Sequence, residues 1–198
     1  NRCMAVSFIN KVKKEASAAG IKNNTKKSLK WFREKLRYMT GISRTKVLKD
    51  EALKKVNAPL VGRMFMYFYD PKTKKTLPFY DRFPLIIMVD KAPGGFYGLN
   101  LHYLDPITRA AFFDKLLSYT NNKKYDKTTK LRLSYDLLKG MSKLKAFAPC
   151  FKHYLTSNIK SQITEVPASE WEVAIFLPTE QFVKSDKAGV WKNSKSII

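Results

Sequence analysis

Between Val61 and Tyr103 the chain carries three apolar, aromatic-rich runs divided by two turn regions. Val61–Tyr69 is the first, Leu85–Asp90 the second and Phe96–Tyr103 the third. In the third, Tyr97, Leu99, Leu101 and Tyr103 alternate with Gly98, Asn100 and His102. That period of two belongs to a half-buried strand. Ala92-Pro93-Gly94-Gly95 separates the last two runs and holds residues suited to fixed or positive φ. Asp70-Pro71-Lys72-Thr73-Lys74-Lys75 is a turn former followed by a charge cluster, and Leu77–Pro84 is bracketed by prolines. Prolines keep such a segment out of a ladder interior. The pattern predicts an α+β chain built on a small antiparallel sheet, either closed into an SH3-like barrel or strongly bent, with helices packed after it.

Ahead of the sheet the period changes. Leu29, Phe32, Leu36 and Met39 are spaced three and four apart, which predicts a helix over Thr25–Met39. Asn23, Asn24 and Thr25 offer N-cap oxygens. A weaker helix is expected over Thr45–Val56, with Gly41 as the break before it. Asn57-Ala58-Pro59 then divides the chain into a basic helical arm, residues 1–57, and a β-barrel-like core with C-terminal helices, residues 58–198.

Beyond the sheet, Asp105-Pro106 reads as an N-cap with proline at the first helical position. The helix is expected to run to about Tyr119 and to bury Ile107, Ala110, Ala111, Phe113 and Leu117. Leu131, Leu133 and Tyr135 alternate like a strand, whereas Leu131, Tyr135 and Leu138 suit a helix, so both remain open there. From Asp136 a helix is expected, interrupted near Gly140. Another is expected over Ala146–Ile159 from Pro149, with Cys150, Phe151, Tyr154 and Leu155 inward and Lys152 and Lys160 outward. Gln162–Val166 alternates as a closing strand. Ser169 and Glu172 have capping-box spacing for a helix through about Leu177. The tail from Lys184 is polar, with Trp191 able to dock.

Charge gives this scaffold a direction. The chain has 38 Lys/Arg against 16 Asp/Glu, a net of +22, and residues 1–57 alone carry +12. Such an excess implies a polyanionic partner, with nucleic acid ahead of an anionic membrane or an acidic protein surface. No apolar run approaches the ~20 residues of a membrane span, and Cys3–Ile9 is too short for a secretory signal. Lys26, Lys27, Lys30, Arg33 and Arg37 lie on the predicted helix, where they can neutralise phosphates without reading bases. Few acidic residues stand nearby to make the i,i+4 pairs of a solvated helix. Lys72, Lys74 and Lys75 lie beside Tyr67, Tyr69, Phe79 and Tyr80, and cations interleaved with rings suit stacking on bases. Rings near a sheet are more commonly core. Lys123, Lys124, Lys127 and Lys130 form a second basic loop, and a merely solvated surface is the plain alternative for each group.

Catalytic signals are thin. His102 and His153 stand far apart in sequence. Asp70, Asp81, Asp90 and Asp105 sit beside prolines or at strand ends, where Asp is a turn former. Gly94-Gly95 lacks the later Gly and Lys of a phosphate-cradling loop. Cys3 and Cys150 have no metal-ligand spacing. No catalytic residue, metal ligand or cofactor is expected.

Three strings are distinctive: Gly62-Arg63-Met64-Phe65-Met66-Tyr67-Phe68-Tyr69-Asp70-Pro71-Lys72, Leu77-Pro78-Phe79-Tyr80-Asp81-Arg82-Phe83-Pro84, and Gly95-Phe96-Tyr97-Gly98-Leu99-Asn100-Leu101-His102-Tyr103-Leu104. The same likeness continues through Asn121-Asn122-Lys123-Lys124-Tyr125-Asp126 and Glu170-Trp171-Glu172-Val173-Ala174-Ile175-Phe176-Leu177-Pro178. Over about residues 30–192 the chain resembles the virion-associated DNA end protector family of T-even-type contractile-tailed bacteriophages. No functional residue carries over with the resemblance. It implies a minor, non-enzymatic structural protein of the virion, present in the host cytoplasm during assembly. Double-stranded DNA at the head–tail junction and other virion proteins of the portal, neck or tail would be its partners.

Overall fold

A computed structural model describes residues 7–196, with the side chains of residues 120, 127, 130–133, 142, 146 and 196 outside the description. Expectations placed on Cys3, and on the side chains of Lys127, Lys130, Leu131 and Leu133, therefore lie outside the described residues. The described residues open with three helices, α1 (Phe8–Ala18), α2 (Lys26–Leu36) and α3 (Arg44–Leu48). Strands β1 (Lys54–Val56), β2 (Met64–Met66), β3 (Tyr80–Asp81), β4 (Leu85–Ala92) and β5 (Gly95–Asn100) follow. Next come α4 (Pro106–Thr120), α5 (Lys127–Ser142), β6 (Phe151–Leu155), β7 (Ile163–Val166), α6 (Trp171–Ala174), β8 (Phe182–Val183) and α7 (Lys187–Ser196).

Six strands form one antiparallel sheet in the order β1-β7-β2-β4-β5-β6, and β3 pairs with β8 in a separate two-stranded ribbon. The expected α+β class holds, but the SH3-like barrel does not form. The sheet is open, with β1 and β6 as its edges. β4 is its centre because Leu85–Val89 is apolar on both faces and buried on both. Leu85, Ile87 and Val89 join Met64, Met66 and Leu99 in the main core with the helices, while Ile86 and Met88 join Phe65, Tyr67, Phe96 and Tyr154 on the other face. A register shift between Met88 and Asp90 bends the strand. At the β4–β5 turn Gly94 has φ +72°, and a Cβ on Gly95 would lie 1.8 Å from the Tyr154 carbonyl oxygen. Glycine is thus needed there for close approach of β5 to β6.

Residues 7–57 pack into this core and do not stand apart as an arm. Ile9, Val12, Ala16, Leu29, Phe32, Leu36, Val47 and Leu48 belong to the same buried cluster as the sheet. α2 lies against α4 and α6, α1 lies against α6, and β1 pairs with β7. The amphipathic spacing of this segment is legible in the sequence, and its apolar stripe goes into the main core.

Several elements differ from the sequence expectation. Val61–Tyr69 supplies only the short β2, and Leu101–Tyr103 leaves the third strand for a 3₁₀ turn begun by Asn100, whose side chain accepts from the His102 N–H. Tyr97 is exposed while Leu99 is buried, so burial along the expected shared face is lost toward the turn end of β5. α4 begins at Asp105-Pro106 as expected, but Ile107 is 69% exposed and Arg109 is buried in its stead. Asp126 caps one continuous α5, so the strand option is not taken and Gly140 does not interrupt it. The helix expected over Ala146–Ile159 is a 3₁₀ segment followed by β6, because Phe151-Lys152-His153-Tyr154-Leu155 pairs residue by residue with β5. Ser169 caps nothing, and α6 is a single turn. The polar tail forms α7, docked by Val190 and by Trp191, whose Nε1 donates to the His102 carbonyl at 2.9 Å.

Candidate nucleic-acid interface

α2 forms because Thr25 and Ser28 cap each other reciprocally, the hydroxyl of each accepting from the backbone N–H of the other. With Leu29, Phe32 and Leu36 buried, helical geometry turns the cations outward. Lys26, Lys27, Lys30 and Arg37 are exposed and Arg33 is half-buried. Three cations of this helix do find carboxylates: Lys26 with Asp114 at 3.4 Å, Lys30 with Glu34 at 3.9 Å and Lys35 with Glu15 at 2.7 Å. All three pairs are solvent-exposed and weak, worth about 0–1 kcal/mol. Lys27, Arg33 and Arg37 make no ion pair among the described residues; Arg37 lies over the Tyr38 ring, 4.2 Å from its centroid.

The α4–α5 loop adjoins the start of this helix. Asn121 Nδ2 donates to the Asn24 carbonyl at 2.9 Å. That hydrogen bond brings the exposed Lys123 and Lys124 to the same end of the molecule as Lys26. The loop carrying Lys123 and Lys124 is thus tied to the segment that leads into α2.

Lys72, Lys74 and Lys75 belong to a different neighbourhood. Lys74 pairs with Asp70 at 2.9 Å, and Lys72 and Lys75 are exposed. The loop is held from beneath by Lys184, whose ammonium donates to the carbonyls of Lys74, Lys75 and Leu77 at 2.6, 3.1 and 2.9 Å. Beside it opens a cleft of about 370 Å³, walled by Leu77, Phe79, Tyr103 and Phe151. Lys72, Lys152 and His153 also line it. Of the rings expected to stack on bases, Tyr69, Phe79 and Tyr80 line this cleft, whereas Tyr67 is fully buried on the far face of the sheet. Lys152 is not singled out by the sequence because the spacing around it reads as a helix; the alternation of Lys152 and Tyr154 with Phe151, His153 and Leu155 is the signal that marks the strand.

Next to the cleft, Asp81, His102 and Thr179 line up as acid, imidazole and hydroxyl. Asp81 Oδ2 is 2.7 Å from His102 Nδ1, and Thr179 Oγ1 is 3.5 Å from His102 Nε2. Thr179 and His102 are completely buried, so no substrate reaches the hydroxyl. The arrangement is a structural joint between the β3–β8 ribbon and the main sheet. Burial opposes ionisation of Asp81, but His102 and the N–H groups of Gln181 and Phe83 outweigh it and hold the carboxyl below its ordinary range. Among the described residues no cluster of three or more His, Cys, Asp or Glu side chains could hold a metal ion, and no helix is long and apolar enough to cross a membrane.

One family, described as phage T4 terminal DNA protecting protein, matches residues 1–195. The chain belongs to that family. Neither a curated protein nor a solved structure matches it. Membership makes this a phage protein of DNA-end protection, and it agrees with the strongly basic surface just described.

Proposed function

We propose that the protein binds an end of double-stranded DNA without reading its sequence, as a minor structural component of the virion near the head–tail junction. The exposed face of α2, with Lys26, Lys27, Lys30, Arg33 and Arg37, and the loop carrying Lys123 and Lys124 supply phosphate contacts. Lys72, Lys74 and Lys75 extend the interface on a second loop. Protection comes from occupying the end, and no bond is made or broken. Assembly in the host cytoplasm brings the protein to DNA and to the portal, neck or tail proteins around it. The observation that carries this reading is the outward set of cations on α2, joined at Asn24–Asn121 to a second basic loop. Contact with about 6–10 phosphates predicts a roughly 10³–10⁵-fold loss of affinity between about 50 and 200 mM salt. Titrating a labelled duplex against salt checks this, and scrambled sequences should bind alike. A flat salt response, or no binding by the full chain, favours instead a connector whose partners are virion proteins alone.

A further inference from the structure

The cleft beside the 71–77 loop has features that the phosphate-binding surface does not need. Its walls are largely apolar rings and Leu77, yet a lysine points its charge among them. Lys152 Nζ sits 4.5 Å from the centroid of the Tyr103 ring, and this ammonium makes no ion pair or hydrogen bond among the described residues. Burial lowers its pKa from the ordinary lysine value. A half-buried cation with no anionic partner is held at a cost, which an entering anion relieves. Asp81 also borders the cleft, but it does not serve as that partner. Its Oδ1 accepts from the N–H groups of Phe83 and Gln181, and its Oδ2 is taken by Asn100 and His102.

We propose that this cleft receives the terminal nucleotide of one DNA strand, with its phosphate against Lys152 and Lys72 and its base on the half-exposed ring of Phe79. This rests on the reading of the protein as a binder of DNA ends. Volume supports it: about 370 Å³ lies at the small end of ligand clefts, about 300–1,000 Å³. A double helix, whose major groove alone is about 12 Å wide, does not enter such a space. Chemistry supports it too, because apolar rings beside a cation suit a base joined to a phosphate. An internal base must be unstacked and unpaired before it can leave the duplex. A terminal base has a stacking neighbour on one side only, so the cleft selects ends over interior DNA. The Lys184 ammonium beneath the 71–77 loop fixes one wall and adds positive charge behind it.

The test compares a blunt duplex with a covalently closed dumbbell of the same sequence, using the full chain. Duplexes carrying 2-aminopurine at a terminal or an internal position report where a base is engaged. The wild type should prefer the open duplex about tenfold or more, and the terminal 2-aminopurine alone should change its fluorescence. Lys152→Met, which keeps the aliphatic stem, should abolish the preference and leave dumbbell affinity unchanged. Thr73→Trp, a change at an exposed position bordering the cleft, should do the same by blocking entry. Free mononucleotide serves as competitor, and should remove the preference without displacing the dumbbell. Equal preference in both folded variants, or an unresponsive terminal base in bound wild type, overturns the cleft assignment while DNA binding stands. Failure of the wild type to bind either DNA overturns the proposed function itself.

Discussion

Asp81 is 3% exposed, and its two oxygens face four donors or partners from three parts of the chain. Removing one member of such a set strands the others in a dry interior, which costs more than the bonds themselves. Asp81→Ala is therefore expected to destabilise the protein by roughly 3–5 kcal/mol, read from urea unfolding at neutral pH. A loss below about 1 kcal/mol would show the joint to be dispensable. The acid limb carries a second signature. The folded-state pKa of Asp81 lies below its ordinary value of 3.8, so its contribution is complete above that pH and fades as pH falls through the lower folded value. Asp70 and Asp105 are shifted the same way. For Asp70 the hydrogen bond from Lys74 is responsible; at Asp105 burial opposes the shift and bonds from Thr108 outweigh it. Stability of the wild type should drop below about pH 4, and the Asp81→Ala variant should show a shallower drop. Arg109 is the cationic counterpart: it is buried, donates to the carbonyls of Leu104 and Ile175 at 2.7 Å, and burial pulls its pKa down to about 10.

At the scale of elements, α2 divides cleanly into a buried stripe and a charged outer face, so charge can be changed without touching the core. Lys27→Gln, Lys30→Gln and Arg37→Gln combined should leave the unfolding transition within about 0.5 kcal/mol per site, as surface substitutions do. The salt dependence of DNA binding should fall by about 0.9 in slope for each phosphate that is no longer neutralised. An unchanged slope would move the interface elsewhere. This helix is legible in the sequence because three independent signals agree: apolar spacing, the Thr25 cap and outward lysines. β6 is not, because five residues cannot distinguish the two periods and Pro149 fits a helix start equally well. Ile107 and Arg109 show a related limit. Which side of α4 is buried depends on what packs there, and Ile175 and Trp191 come from segments remote in sequence. Of the candidate DNA-binding residues, the α2 set can be read directly, whereas the proximity of Lys123 and Lys124 and the lone Lys152 depend on tertiary structure.

For the whole molecule, the integration of the basic N-terminal segment changes how its role must be tested. Deleting residues 1–57 removes the charge concentrated there, but it also removes Ile9, Val12, Leu29, Phe32 and Leu36 from the main core. Each such side chain is worth about 1.5–3 kcal/mol on burial, so the five together rival the roughly 5–15 kcal/mol that hold a domain folded. The deletion also strips β1 from β7 and bares an unpaired strand edge. A chain beginning at residue 58 is therefore expected to aggregate or to unfold without a cooperative transition, seen by calorimetry or urea titration. Its failure to shift DNA on a gel would then report a collapsed fold and say nothing of charge. Only a truncated chain that unfolds cooperatively would restore the picture of an appended arm, and would make its DNA binding informative. The Lys27→Gln, Lys30→Gln and Arg37→Gln combination separates the two effects, because it keeps every buried residue in place while changing only the charge proposed to meet DNA.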